Sequence, residues 1–261
     1  QLLSEESEDI VIQIDTDILV PGEYSTALRL LNNALPDISI PLNLSVADPG
    51  GDITLNITHI SDWNLVGLPV GVSDSHYYSV FPESVPESCF GYDDEYTQTD
   101  EMELGDGYWL RFPSEGSTDI TGSALDELEL NISEGWNIIS GVSDIVNVNT
   151  GIVDPMEILV SGSLYGFDGT YVNSSVLEPG KGYWIRSLED GSITISSQNR
   201  SGFVRRSTVC PDANTLRANG MELYFGENIS DIDPVLYSLP PKPPPGATDI
   251  RFSDDTKFCM L

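Results

Sequence analysis

Trp109-Leu110-Arg111 and Trp184-Ile185-Arg186 each set an indole and a guanidinium two positions apart. If these stretches are strands, positions i and i+2 share a face, and each copy presents a Trp/Arg surface. Buried, that surface is a cation–π pair at a packed interface. Exposed, it is a flat platform on which a sugar ring can stack. Packing is favoured, because tryptophans are usually highly buried. A second set of aromatic contacts, Tyr77, Tyr78 and Phe81, lies in the loop from Val70 to Ser88. That loop differs between the two copies of the pattern, and ligand sites more often reside in variable loops. The candidate binding residues are therefore Tyr77, Tyr78, Phe81, Trp109 and Trp184, with a glycan or a cell-surface protein as the partner.

The remaining reactive side chains form no recognisable constellation. There is no Gly-x-Ser-x-Gly elbow, P-loop, His-Glu-x-x-His or Cys-x-x-Cys. His59 falls in a strand-like run and His76 in a loop, and neither has an assignable serine or cysteine partner. A glycosidase needs only two carboxylates, but with 42 acidic residues a pair arises by chance. Asp93-Asp94-Glu95 and Asp100-Glu101 carry oxygen ligands suited to Ca²⁺. They lack the regular spacing of a calcium loop and read as a solvated acidic face, so no cofactor and no metal site are expected. Cys89, Cys210 and Cys259 show no metal-ligand spacing either. Cys210 and Cys259 share the last segment of the chain, and the proline run between them can return the chain. They are the expected disulfide, with Cys89 left over. This fragment is therefore not expected to be an enzyme.

The elements that would carry these residues are duplicated. Gly105-Asp106-Gly107-Tyr108-Trp109-Leu110-Arg111 recurs as Gly180-Lys181-Gly182-Tyr183-Trp184-Ile185-Arg186. The register holds without a gap back to Phe90-Gly91-Tyr92-Asp93 against Tyr165-Gly166-Phe167-Asp168. A second marker precedes each copy, Asp62-Trp63-Asn64-Leu65-Val66 and Gly135-Trp136-Asn137-Ile138-Ile139. All 4 tryptophans belong to this one pattern. Paired glycines suit a tight turn, and the aromatic and aliphatic residues after them suit a strand. The strand places Tyr108, Leu110 and Phe112 on a core face and Trp109 with Arg111 on the other.

With 42 acidic against 11 basic residues, the chain has a formal net charge of -31. Nucleic-acid binding needs a basic footprint, and docking on anionic lipid needs the same, so both are disfavoured. Such a charge suits solubility in a salty medium, where screening softens self-repulsion. No apolar run approaches the length of a membrane span. The chain opens on Gln1 without an initiator methionine or signal peptide, and is read as an internal piece of a longer protein.

Residues 1–47 read as consecutive strands: Ile10–Ile14, Ser25–Leu31, and the alternating Ile38–Val46, in which Pro41 marks an edge or a bulge. The Pro-Gly-x-Tyr, strand, Ile-Pro-x-x-Leu-x-Val order resembles the closing strands of immunoglobulin-like modules of bacterial surface proteins. Ala47–Asp52 is punctuation. The duplicated domain spans 52–197, with repeats at about 53–122 and 126–197. Its halves look like a module of secreted multidomain proteins of the Bacteroidetes–Chlorobi–Marinimicrobia type, written Gly-Trp-Asn-Leu-Ile … Leu-x-Pro-Gly-x-Gly-Tyr-Trp. The second half matches more closely. The first departs at Asp62, where the pattern has Gly, and at Leu104, where it has Pro.

Residues 203–261 begin a further β-domain. Asn214–Gly226 reads as a hairpin around Asn219-Gly220. Tyr237 to Ala247 is a proline-rich run near polyproline II, and Asp249–Ser253 reads as a strand. This segment resembles the β-domain that precedes a C-terminal sorting domain in cargo of type IX secretion. The reading is thus all-β: a partial immunoglobulin-like sandwich, a duplicated pseudo-twofold β-domain and a partial β-domain. The resemblances imply an extracellular or cell-surface setting and a spacer, display or adhesion role. A carbohydrate-binding region attached to a secreted hydrolase is the alternative.

Overall fold

A computed structural model describes residues 22–30, 38–46, 51–197, 213–218, 221–226 and 234–260. The chain is all-β, and it divides into two compact units, Gln1–Gly51 and Asp52–Leu261. In the first unit, β1 (Gly22–Leu30) and β2 (Ile38–Val46) form an antiparallel pair. Its register runs unbroken from Gly22↔Val46 to Leu30↔Ile38, with Pro41 opposite Ala27. Pro41 therefore needs no bulge: among the described residues the sheet is two-stranded, so each strand keeps an open edge, where a missing N–H is tolerated. The expected strand at Ile10–Ile14 lies outside the described residues.

The second unit opens with β3 (Asp52–His59) and β4 (Asp62–Gly67), followed by a helical turn α1 (Tyr77–Val80). Then come β5 (Phe90–Asp93), β6 (Glu95–Gln98), β7 (Gly107–Phe112) and β8 (Gly116–Ser123). The second half contains β9 (Glu127–Ile132), β10 (Gly135–Ser140), β11 (Val146–Asn147), the turn α2 (Val148–Gly151) and β12 (Ile152–Val153). It continues with β13 (Tyr165–Phe167), β14 (Tyr171–Asn173), β15 (Val176–Leu177), β16 (Gly182–Ser187) and β17 (Gly191–Ser196). The last segment contributes β18 (Asn214–Ala218), β19 (Met221–Gly226), a 3-10 turn at Pro234–Tyr237 and β20 (Phe258–Met260).

The two halves have the same sheet. Its strand order is β4-β7-β5-β6 in the first and β10-β16-β13-β14 in the second. Trp109 pairs with Leu65 and Phe90, and Trp184 with Ile138 and Tyr165, so the two tryptophans hold equivalent register positions. A second antiparallel layer covers each sheet, β3 with β8 and β9 with β17, in a sandwich-like arrangement. Between the layers, each half has its own core. Tyr108, Leu110 and Phe112 join Ile57, Leu68 and Ile120 in one; Tyr183 and Ile185 join Ile132, Ile193 and Ile195 in the other.

Four left-handed backbone positions also match. Asp62 (φ 73°) corresponds to Gly135 (97°), Glu87 (59°) to Gly162 (77°), Asp94 (57°) to Gly169 (73°) and Gly105 (88°) to Gly180 (74°). Asp62 departs from glycine in residue type but not in conformation. Aspartate is among the few side chains that tolerate this region, and here its carboxylate takes a hydrogen bond from Arg111 Nε at 2.6 Å.

The segment from Asn214 onwards belongs to the same compact unit as the duplicated halves. β18 and β19 pair antiparallel, with Ala218 opposite Met221, and β20 adds parallel to β19. Asp249–Ser253 is not a strand. Its backbone turns back, with Phe252 N–H donating to Thr256 O at 3.1 Å. Arg251, almost enclosed, bonds Asp249 at 2.6 Å and the Pro240 carbonyl at 2.9 Å. Local side-chain bonds of this kind compete with a strand ladder.

Candidate functional site

Trp109 and Trp184 are both 0% exposed. Each is sealed by aromatic side chains of the other half. Tyr92 meets Trp184 at 4.8 Å, and Phe167 meets Trp109 at 4.7 Å, both edge-on. Tyr96 and Tyr171 repeat the exchange, at 6.4 Å from Trp184 and 6.3 Å from Trp109. Within its own half each tryptophan meets a second at a right angle, Trp63 at 6.4 Å and Trp136 at 6.3 Å. Edge-to-face pairs add roughly 0.5–1.5 kcal/mol each beyond burial.

The backbones interlock as reciprocally as the rings. Gly67 N–H donates to Gly180 O at 3.2 Å, and Ser140 N–H to Gly105 O at 2.7 Å. The bridges Val66↔Lys181 and Asp106↔Ile139 form the matching pair. This explains both glycines of the repeated motif. The first, Gly105 or Gly180, adopts positive φ. The second admits the other half: a Cβ on Gly107 would stand 2.8 Å from Ile139 O, and one on Gly182 2.8 Å from Val66 O.

The last segment lies over this aromatic seam. Leu239, Pro240, Pro243 and Pro244 are buried, and Leu239 packs into the aromatic cluster of the seam. Trp63 Nε1 donates to Pro245 O at 3.2 Å, Tyr96 OH to Lys242 O at 2.7 Å and Tyr171 OH to Pro241 O at 2.6 Å. Tyr96 and Tyr171 are equivalent residues and take adjacent carbonyls, so this proline strap crosses where the halves meet. Proline-rich backbone, with exposed carbonyls and preset φ, suits an aromatic surface bearing such donors.

Trp109 and Trp184 therefore offer no stacking platform in this fold. The cation–π contact also falls elsewhere. Arg186 lies over Trp136, its cross-strand partner, at 5.9 Å, while Arg111 pairs with Asp62. Directly opposed residues on adjacent strands are closer than i and i+2 of one strand. Two of the three loop aromatics are buried as well. Tyr77 (4% exposed) accepts the Glu87 N–H on its hydroxyl, and Phe81 (0%) packs edge-on against Phe112. Only Tyr78, at 43%, faces solvent.

The histidines have structural partners. His59 stacks on Phe112 with ring centres 3.8 Å apart, and burial lowers its pKa. His76 caps α1 by accepting the Tyr78 N–H. Cys89 is buried, which pushes its thiol up to about 12, far from a reactive thiolate. Cys210 lies outside the described residues, and the expected Cys210–Cys259 disulfide with it. Among the described residues, no cluster of three or more His, Cys, Asp or Glu converges to hold a metal.

A cleft follows the seam. A volume of about 300 Å³ lies between Thr58–Leu65 of the first half and Phe167, Asp168, Asn173, Glu178 and Lys181 of the second. A neighbouring depression of about 220 Å³ shares Thr58, Glu178 and Lys181 and adds Leu55, Ile145 and Pro179. Lys181 Nζ bonds Thr58 O across the seam. Partial burial lowers its pKa, opposed by the Glu178 and Asp168 carboxylates. Nothing in the spacing of these residues marks them. The signal that could have found them is the one place where the repeats reverse charge, Asp106 against Lys181.

No known protein family, no curated protein and no solved structure matches this chain.

Proposed function

We propose that this chain is a non-catalytic β-module, a spacer or display element, of a secreted or surface-anchored bacterial multidomain protein. The reciprocal aromatic seam supports this reading most. The tryptophans and tyrosines best suited to stacking on a ligand join two halves beneath a strap instead, an arrangement suited to a rigid, load-resisting unit. The large negative charge and the resemblance of the repeat to modules of exported proteins agree with an extracellular setting. The test pairs mechanical unfolding of the tethered chain with assays on glycoside, ester and peptide substrates. Residues 52–260 should resist extension as one unit, with no turnover. Measurable hydrolysis by the purified chain, lost on replacing a seam carboxylate, would overturn the proposal. The carbohydrate-binding reading is favoured by one feature, the seam cleft.

A further inference from the structure

We infer that the seam cleft beside Lys181 binds a neutral saccharide unit. The site deepens the carbohydrate-binding reading, and it is independent of the spacer reading, since one module can do both. The cleft, at about 300 Å³, is at the small end of ligand-pocket volumes. Its lining mixes acceptors and donors: the carboxylates of Asp168 and Glu178, the Asn173 amide oxygen, whose nitrogen is held by the Gly162 and Leu164 carbonyls, and the Lys181 ammonium. Neighbouring sugar hydroxyls both donate and accept, which a mixed set satisfies and a single-sign set does not. The exposed Val172 adds an apolar contact for the C–H face of a ring.

Charge decides against an anionic ligand. One ammonium beside two carboxylates leaves the site net negative, so a uronate is repelled. Among the described residues no third carboxylate, histidine or cysteine converges there to hold a metal ion. The ammonium stays bonded to Thr58 O and presents its remaining N–H groups.

The duplication supplies an internal comparison. Asp168, Glu178, Tyr183 and Phe167 correspond to Asp93, Glu103, Tyr108 and Tyr92 of the first half. Lys181 corresponds to Asp106, so the equivalent place there has a third carboxylate and lacks the donor. The scaffold is shared and the recognition chemistry is not. Binding should therefore occur on one side of the seam only.

The experiment uses the whole chain and isothermal titration with short neutral gluco-, galacto- and manno-oligosaccharides, with oligogalacturonate as the anionic comparator. At least one neutral probe should bind with millimolar or tighter affinity. Asp168→Asn and Glu178→Gln should each weaken it by about tenfold or more. Both carboxylates are exposed, so the variants should keep the wild-type circular dichroism. Asp93→Asn and Glu103→Gln should leave binding unchanged. The inference is overturned by no binding of any neutral probe, by tighter binding of the uronate, or by equal losses in both pairs of variants. None of these results touches the spacer reading, which falls only on turnover.

Discussion

Truncating Trp109 or Trp184 to alanine is expected to cost about 3–5 kcal/mol, the range for a large aromatic in a packed core, read as a shift in urea midpoint. Tyr78→Ala, at a solvent-facing ring, should stay within about 0.5 kcal/mol of wild type. Equal effects at the three positions would contradict the burial described. Asp106 gives a pH test. Withdrawal from water at the seam, and then the Glu103 carboxylate, raise its pKa from 3.8 to about 6. A carboxyl raised in the fold destabilises it when ionised, so stability falls as pH rises from about 4 through about 6. Asp106→Asn should therefore melt higher than wild type at pH 7, with the difference gone below pH 4. At this scale, identity was more legible than environment. The Gly-x-Gly-Tyr-Trp repeat marks Trp109 and Trp184 as special. Whether a strand's second face meets water or another half depends on contacts that one strand's pattern does not contain.

At the scale of elements, the strap is held by hydroxyls as well as by apolar burial. Tyr171→Phe and Tyr96→Phe each delete one bond to a strap carbonyl, and each should cost roughly 0.5–1.5 kcal/mol. Hydrogen exchange should accelerate within residues 237–252 while β7 and β16 stay protected. Exchange unchanged in the strap would show that apolar packing alone holds it. Strands with alternating or motif-flanked patterns, such as Ile38–Val46 and Gly107–Phe112, were readable from sequence, as was the hairpin at Asn214–Gly226. Asp249–Ser253 was misread because its apolar residues alternate like a strand's, while Arg251 is drawn to Asp249 and the Pro240 carbonyl. The gapless register also extends further upstream than Phe90 and Tyr165. Ser88 and Ser163 each accept the N–H of the strand arginine, at 3.3 and 3.0 Å, and each donate to the carbonyl three residues back, at 2.6 Å. Two serines and two valines, Val85 and Val160, carry that signal, too common a pair to stand out in a polar loop.

For the molecule as a whole, the reciprocal seam couples the halves. Residues 52–260 are expected to unfold in one transition, with calorimetric and van't Hoff enthalpies equal. Two resolved transitions would mean that the seam is weaker than its contacts suggest. The net charge of -31 should make the melting temperature rise with added NaCl, as screening relieves self-repulsion. The seam also bears on ancestry. Each half completes its neighbour's core with its own hairpin aromatics, so a solitary half leaves its central indole partly uncovered. The contacts are isologous, those of a twofold dimer. A single copy of the half would thus be expected to self-associate as a homodimer, and joining two copies on one chain makes that partnership permanent. Once both copies lay on one chain, selection could treat them separately, and the exchange of Asp106 for Lys181 is a change that no strictly symmetric dimer could have made.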